Sequence, residues 1–315
     1  MQEMTRSEFL RMLLASAAVP SAAQRVVAAP GETRKLVLIA GSPSHPPGMH
    51  EFRAGSLLLE KRLAQVPDLT VERHDNGWVH DEATFDDAAA IVIYSDGGRK
   101  HPLADKARQA VIGRQIARGA GLGCMHYGVE VLPDDAGKEF TDWLGGYYEH
   151  EWSCNPIWTP SFERFPDHPV ANGVKPFAIE DEWYFNMRFR EGFDASGPKQ
   201  IDGSVFTPIL VAKPSDETRD GPYVHPKGPY PHIQAAKGRD EAMLWTLERP
   251  DGGRGFGFTG GHFHRNWQND EYRKVVMNAV CWLAGLKVAR LGFGSSTVTD
   301  DEIGRNLDPK PPKKG

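Results

Sequence analysis

The sequence predicts an α/β protein with a mainly parallel, doubly wound sheet, and three observations carry that expectation. Apolar runs at residues 34–41, 88–94 and 122–125 each break into a glycine-rich polar turn, as buried parallel strands do at their carboxyl ends. Segments 52–63 and 103–118 have helical spacing, which gives the strand, helix, strand rhythm of parallel units. A chain of 315 residues can also bury a large core without covalent staples. Its three cysteines, Cys124, Cys154 and Cys281, are too scattered for a disulfide framework or a structural zinc cluster.

Residues 1–23 read as an export signal: Arg6 and Arg11 flank and interrupt a modest apolar run at 9–19, and small residues up to Ala23 suit cleavage. The expected destination is the periplasm or the cell exterior, or the cytoplasm if the segment is instead a soluble amphipathic helix. No later run approaches the roughly 18 apolar residues of a membrane span. A net charge of −5, from 37 Lys and Arg against 42 Asp and Glu, supplies no basic field, so nucleic acid is set aside as a partner.

The first strand opens into Ser42-Pro-Ser-His-Pro-Pro-Gly-Met-His-Glu51, which places His45, His50 and Glu51 where open α/β sheets build sites. Ordinary loop polarity is the bland alternative. After a short strand at 69–74, the strand at 88–94 runs into Ser95-Asp-Gly-Gly98, carrying Asp96 and, a little later, His101. The strand at 122–125 delivers His126. Elbow turns need small residues two before and two after the apex, and Cys124 and Gly128 satisfy that for His126. With Cys124 at the apex the flanks would be Leu122 and His126, so a cysteine-dependent amidotransferase or protease is disfavoured. An imidazole there suits a metal ligand or a proton carrier, and Glu130 follows as a candidate base.

From 140 to 158 the composition turns aromatic, with Trp143, Tyr147, Tyr148, Trp152 and Trp158 among Glu149, His150, Glu151 and Asn155. This suits either a sugar-binding wall, with Trp152 and Asn155 as contacts, or an aromatic mini-core. In Ile179-Glu-Asp-Glu-Trp-Tyr184 the acids lie too close to an apolar pair for all to face water, which singles out Glu182, with Trp183 and Tyr184 beside it. Residues 192–240 read as an irregular excursion with one strand at 208–212. Segments 241–247 and 254–259 then form a hairpin about Asp251-Gly-Gly253. The glycine spacing of 255–260 matches a dinucleotide loop, yet it lies within a strand and no acid occurs from 272 to 299, so no nucleotide cofactor is expected. Glycines in a strand instead allow close approach. Next come His262 and His264, then a helix at 271–283 with the apolar stripe Val275, Val276, Ala279, Val280 and Leu283. The domain is thus expected over 34–288, followed by an extended tail over 289–315 that carries the basic cluster from Lys310 to Lys314.

Taken in order over roughly 35–285, Ser44-His-Pro-Pro-Gly-Met-His-Glu-Phe52, Tyr94-Ser-Asp-Gly-Gly98, Gly123-Cys-Met-His-Tyr127, Asp181-Glu-Trp-Tyr184 and Gly255-Phe-Gly-Phe-Thr-Gly-Gly-His262 resemble the ThuA-like (trehalose utilisation) family. The resemblance implies a flavodoxin-like three-layer sandwich of the class I glutamine amidotransferase type, with loop insertions and with histidine, here His126, in place of the elbow cysteine. It also implies a carbohydrate role, in which trehalose and related glucosides are processed as 3-keto sugars. For such a substrate the expected ligands of one divalent cation, zinc or similar, are His50, His126, Glu182 and His262. The expected catalytic groups are His126, His264 and Glu130, and the expected sugar contacts are His45, Asp96, Trp152, Asn155, Trp183 and Tyr184. The reaction would be elimination followed by hydration, a glycoside-cleaving hydrolase or lyase acting on a small carbohydrate; self-association is left open. A metal-free histidine enzyme, a non-catalytic sugar-binding module and an interaction protein are the other readings. The last requires His50, His126 and His262 to lie more than about 10 Å apart.

Overall fold

Residues of the first strand, β1 (Arg34–Ala40), are buried on both faces, so alternate side chains enter two different cores. Leu36, Leu38 and Ala40 pack with helices α1 (Phe52–Leu63) and α3 (Asp270–Leu283), whereas Val37 and Ile39 pack with α2 (Lys106–Ala117). That division makes the three-layer sandwich, here seen in a computed structural model describing residues 32–310. The expected export signal at 1–23 lies outside the described residues.

The other strands of the sheet are β2 (Leu69–His74), β3 (Ala88–Tyr94), β4 (Gly121–Met125), β5 (Lys199–Ile201), β6 (Ser204–Ala212), β7 (Glu241–Glu248) and β8 (Arg254–Phe258). Their order is β5-β6-β7-β8-β4-β3-β1-β2. Strands β2, β1, β3, β4 and β8 run parallel, and β7, β6 and β5 extend the sheet antiparallel. The expected hairpin is β7 with β8, in the register Leu244 to Phe258. Its glycines admit neighbours: a Cβ on Gly255 would lie 2.1 Å from the Trp143 carbonyl oxygen, and one on Gly257 would lie 2.1 Å from the Trp245 ring.

Helix α3 owes its start to Asn269, whose side chain accepts the N–H groups of Glu271 and Tyr272, and its place to the predicted stripe, every member of which is buried. Helix α2 begins at Lys106 and not at 103, because Pro102–Ala104 makes a tighter turn and Asp105 caps the next. The C-terminal segment departs from the expected extended tail. It forms a short helix, Asp300–Ile303, closed by a capping box from Thr299 and Glu302, and runs back along α1 to bury Lys310 beneath the loop after β1. Among the described residues no helix is long and apolar enough to cross a membrane.

Candidate functional site

Four parallel strands end on the same edge of the sheet, and the loops leaving them converge. The loop after β1 brings His45 and His50, that after β3 Asp96, that after β4 His126 and Glu130, and that after β8 His262. Strand β1 lies between β2 and β3, so the chain reverses direction across the sheet there, where a crevice forms. His45, His50 and His126 all adopt left-handed backbone, with φ of 61°, 48° and 50°. Such conformations in non-glycine residues persist only where the surroundings impose them, and they gather at functional sites. Gly261, at φ 120°, lets the β8 loop pass His126, since a Cβ would sit 3.1 Å from that of the histidine.

The remaining acid comes from outside the sheet. A two-residue ladder pairs Ile157–Trp158 with Asp181–Glu182 and sets Glu182 over the strand ends. Asp181 beside it is fully buried and accepts the N–H groups of Gly261 and Phe263 and the hydroxyl of Tyr272. It thereby fixes the turn that carries His262, a role that sequence reasoning missed although Asp181 lies within the recognised Asp-Glu-Trp-Tyr motif.

His50, His126, Glu182 and His262 are each buried, and their donor atoms face one another. His50 Nε2 is 2.9 Å from His262 Nδ1 and 3.1 Å from His126 Nε2. Glu182 Oε2 lies 2.6 Å from His262 Nδ1, 3.6 Å from His126 Nε2 and 4.0 Å from His50 Nε2. Outer partners fix two tautomers: His126 Nδ1–H donates to the Thr259 carbonyl at 3.0 Å, and His50 Nδ1–H points to Asp96 Oδ1 at 3.4 Å. Each leaves the Nε2 lone pair aimed inward. Lone pairs and a carboxylate converging in a dry pocket repel unless a cation or protons lie between them. A tetrahedral zinc with ligands near 2.0–2.2 Å holds its donors about 3.4 Å apart, within the observed spread, and a three-histidine, one-carboxylate set suits that metal. The donor set therefore fits a divalent cation.

Burial pushes the His50 imidazole below its ordinary pKa, which keeps its nitrogen available as a ligand. For Glu182 burial acts upward, but the imidazoles of His126, His262 and His50 around it outweigh that and hold the carboxyl well below the usual range. Above this cluster opens a cavity of about 630 Å³, lined by His45, Asp96, Tyr127, Glu130, Asn155 and Tyr184 among others. His45 stacks on His50 with ring centroids 3.6 Å apart, and burial and that neighbour lower it to about 4. Burial, then the charge of Glu182, raise Glu130 to about 8, so it carries a proton at neutral pH. Tyr184 brings its hydroxyl to 3.2 Å from His126 Nε2, and Asn155 donates to Glu182 Oε1 at 2.8 Å.

Three expected residues lie elsewhere. His264, two positions beyond His262, turns away from the cavity and is buried near Glu51, Lys310 and the backbone of Ile303. Trp183 is fully enclosed by Phe162, Phe258 and Tyr272, so it packs the core and does not reach the cavity. Trp152 stacks on His232 and under the Arg188 guanidinium and borders a separate cavity of about 450 Å³. Cys124 is fully buried and its thiol is pushed up by that burial, the reverse of what a thiolate nucleophile needs. Ring centroids of His50, His126 and His262 lie 4.7–5.4 Å apart, which does not meet the spread required of the interaction-protein reading.

Among known proteins, the family model ThuA, described as trehalose utilisation, matches residues 48–283. No curated protein matches the chain. A crystal structure described as ThuA-like, from Bacteroides uniformis ATCC 8492, superposes with a TM-score of 0.56 at 14% identity, covering 81% of this chain and 93% of that one. Another, from Parabacteroides merdae ATCC 43184, gives 0.51 at 15% identity, covering 86% and 94%. At such identities the likeness speaks for the fold alone.

Proposed function

Because the chain belongs to the ThuA, trehalose utilisation, family, its role is carbohydrate-related, and we propose that it cleaves oxidised, 3-keto glycosides such as 3-ketotrehalose at a metal-assisted site. The observation that carries this reading is the convergence of three imidazoles and one carboxylate at the foot of a cavity large enough for a sugar. In a 3-keto glycoside the carbonyl acidifies the hydrogen at C2. Its removal leaves an enolate, whose electron pair expels the C1 oxygen, and that oxygen takes up a proton. Water then adds at C1, a proton returns to C2, and the net result is hydrolysis.

His50, His126, Glu182 and His262 would hold the cation, whose positive charge would supply electrostatic stabilisation of the developing enolate. The chain's own groups handle the protons. His264 lies off the cavity, so the base is assigned to His45, which lines the cavity with its side chain 37% exposed and has Nδ1 2.9 Å from Ser44 Oγ. Protonated Glu130 donates to the leaving oxygen. Asp96 and the Thr259 carbonyl orient His50 and His126.

Protein prepared without a His tag is expected to carry zinc or a similar ion and to release glucose from 3-ketotrehalose, and His126→Ala to lose both. Full turnover by metal-free protein would refute the role of the cation. Binding of unoxidised sugar without turnover of the keto sugar would favour a non-catalytic sugar-binding module.

A further inference from the structure

The loop that carries His50 is held from two sides. On one side it joins the His262 turn: His50 N–H donates to the His262 carbonyl at 3.0 Å, His264 N–H donates to the Gly48 carbonyl at 3.0 Å, and Met49 bridges Phe263. On the other side lies the C-terminal segment. Lys310 Nζ donates to the Met49 carbonyl and, at 3.1 Å, to the His50 carbonyl, and it pairs with Glu51 Oε1 at 3.1 Å. Both side chains of that pair are almost wholly enclosed, 1% and 0% exposed. Asp308 N–H donates to Glu51 Oε2 at 2.9 Å, and Glu51 Oε1 accepts from Gly48 N–H at 2.8 Å. Further back, Glu302 ties the segment to α1 through the buried guanidinium of Arg62 at 2.9 Å.

A lysine this deeply enclosed is rare without a specific partner, and removing one member of a buried pair leaves the other charge uncompensated. The loop it grips includes His50 at φ 48°, a conformation that must be imposed from outside. Passive packing of this segment needs neither the buried ion pair nor the two bonds donated to the Met49 and His50 carbonyls.

We propose that residues 308–310 are a positioning element of the metal centre, with Lys310 and Glu51 locking the His50 loop in its ligating conformation. This rests on the metal reading above. The loop's bonds to the His262 turn set one of its faces, and the C-terminal clasp sets the other.

The test compares full-length protein with Lys310→Met and Lys310→Arg by zinc titration against a chromophoric chelator and by amide hydrogen exchange. Lys310→Met is expected to lose zinc affinity by about 10- to 100-fold, the range for partners that orient ligands. Exchange should quicken in peptides covering 44–52 and stay unchanged in β3, and Lys310→Arg should recover most of both. Unchanged affinity together with unchanged exchange at 44–52 overturns the proposal, as does a rise spread over the whole sheet. If the unsubstituted protein takes up no zinc, the metal reading fails by itself, and exchange at 44–52 still decides the clasp. Should Lys310→Met not fold, reciprocity supplies the alternative: zinc added to the unsubstituted protein should slow exchange at 306–310, and equal rates with and without zinc would refute the coupling.

Discussion

Replacing Glu182 by Gln tests the centre with little change of shape. In the structure Oε1 accepts from Asn155 Nδ2 at 2.8 Å while Oε2 faces the imidazoles, 2.6 Å from His262 Nδ1. A glutamine that keeps its oxygen on Asn155 must aim its NH2 at the histidines, where it cannot ligate. One that flips sets NH2 against NH2. The first loses the fourth ligand and the second leaves only a neutral amide oxygen there, so either way the only charge in the set is lost, whereas the metal-free cluster holds one buried charge fewer and should stay folded. Loss of an outer partner alone typically costs 10- to 100-fold in affinity, so this change should cost at least about 100-fold, ~2.7 kcal/mol. With zinc well above the dissociation constants of both proteins, the same ~2.7 kcal/mol disappears from the ligand-induced stabilisation. At about 2.1 cal/mol/K per residue, a chain of 315 residues shifts by about 1.5 °C per kcal/mol, so the zinc-induced rise in Tm should shrink by roughly 4 °C. Differential scanning calorimetry with and without zinc measures that rise, and isothermal titration measures the affinity directly. Zinc affinity equal to that of the unsubstituted protein would refute the assignment of Glu182 as a ligand.

Glu130 gives a pH dependence with a definite sign. Its carboxyl rises from 4.5 to about 8 on folding, so the folded state holds a proton that the unfolded chain releases, and stability falls as pH climbs through that window. Glu130→Gln should flatten the decline between pH 5 and 8 in urea unfolding, and turnover should drop above about pH 8 in the unsubstituted protein only; an unchanged stability slope would show that Glu130 does not carry the shift. Cys124→Ala should keep both zinc and turnover, and native protein should resist alkylation at Cys124, because that thiol is sealed from solvent. Trp183→Ala should destabilise by about 3–5 kcal/mol in chemical unfolding, since the ring is fully buried; a change under 1 kcal/mol would mean the core closes around its loss.

Much of this was legible without coordinates. Unbroken apolar runs buried on both faces, helical stripes and glycine-rich stops are local properties, and they placed β1, β3, β4, the β7-β8 hairpin and α3 within a few residues. Strand ends of a parallel sheet share one edge, so histidines just beyond them had to be neighbours, and His50, His126 and His262 are. The small flanks of His126 likewise pointed to an elbow, and its φ of 50° is that of a forced turn.

Side-chain direction in irregular chain was another matter, because no period governs it. Trp183 and Tyr184 are adjacent, yet one fills the core and the other reaches His126; His262 and His264 are two apart, yet only the first faces the cavity. Composition marked Trp152 as a sugar platform, but its stacking partners, His232 and Arg188, arrive from distant segments. Residues 289–315 are expected as an extended tail, since nothing local signals that Lys310 meets Glu51 across 259 positions. Local periodicity and covalent connectivity already set the sheet and its site-bearing edge, with His50, His126 and His262 just beyond the strand ends. Which nitrogen of each histidine faces inward, which of His262 and His264 meets the cavity, that Glu182 closes the set from outside the sheet and that the C-terminal segment grips the His50 loop all depend on packing between segments far apart in the chain, which no local pattern encodes.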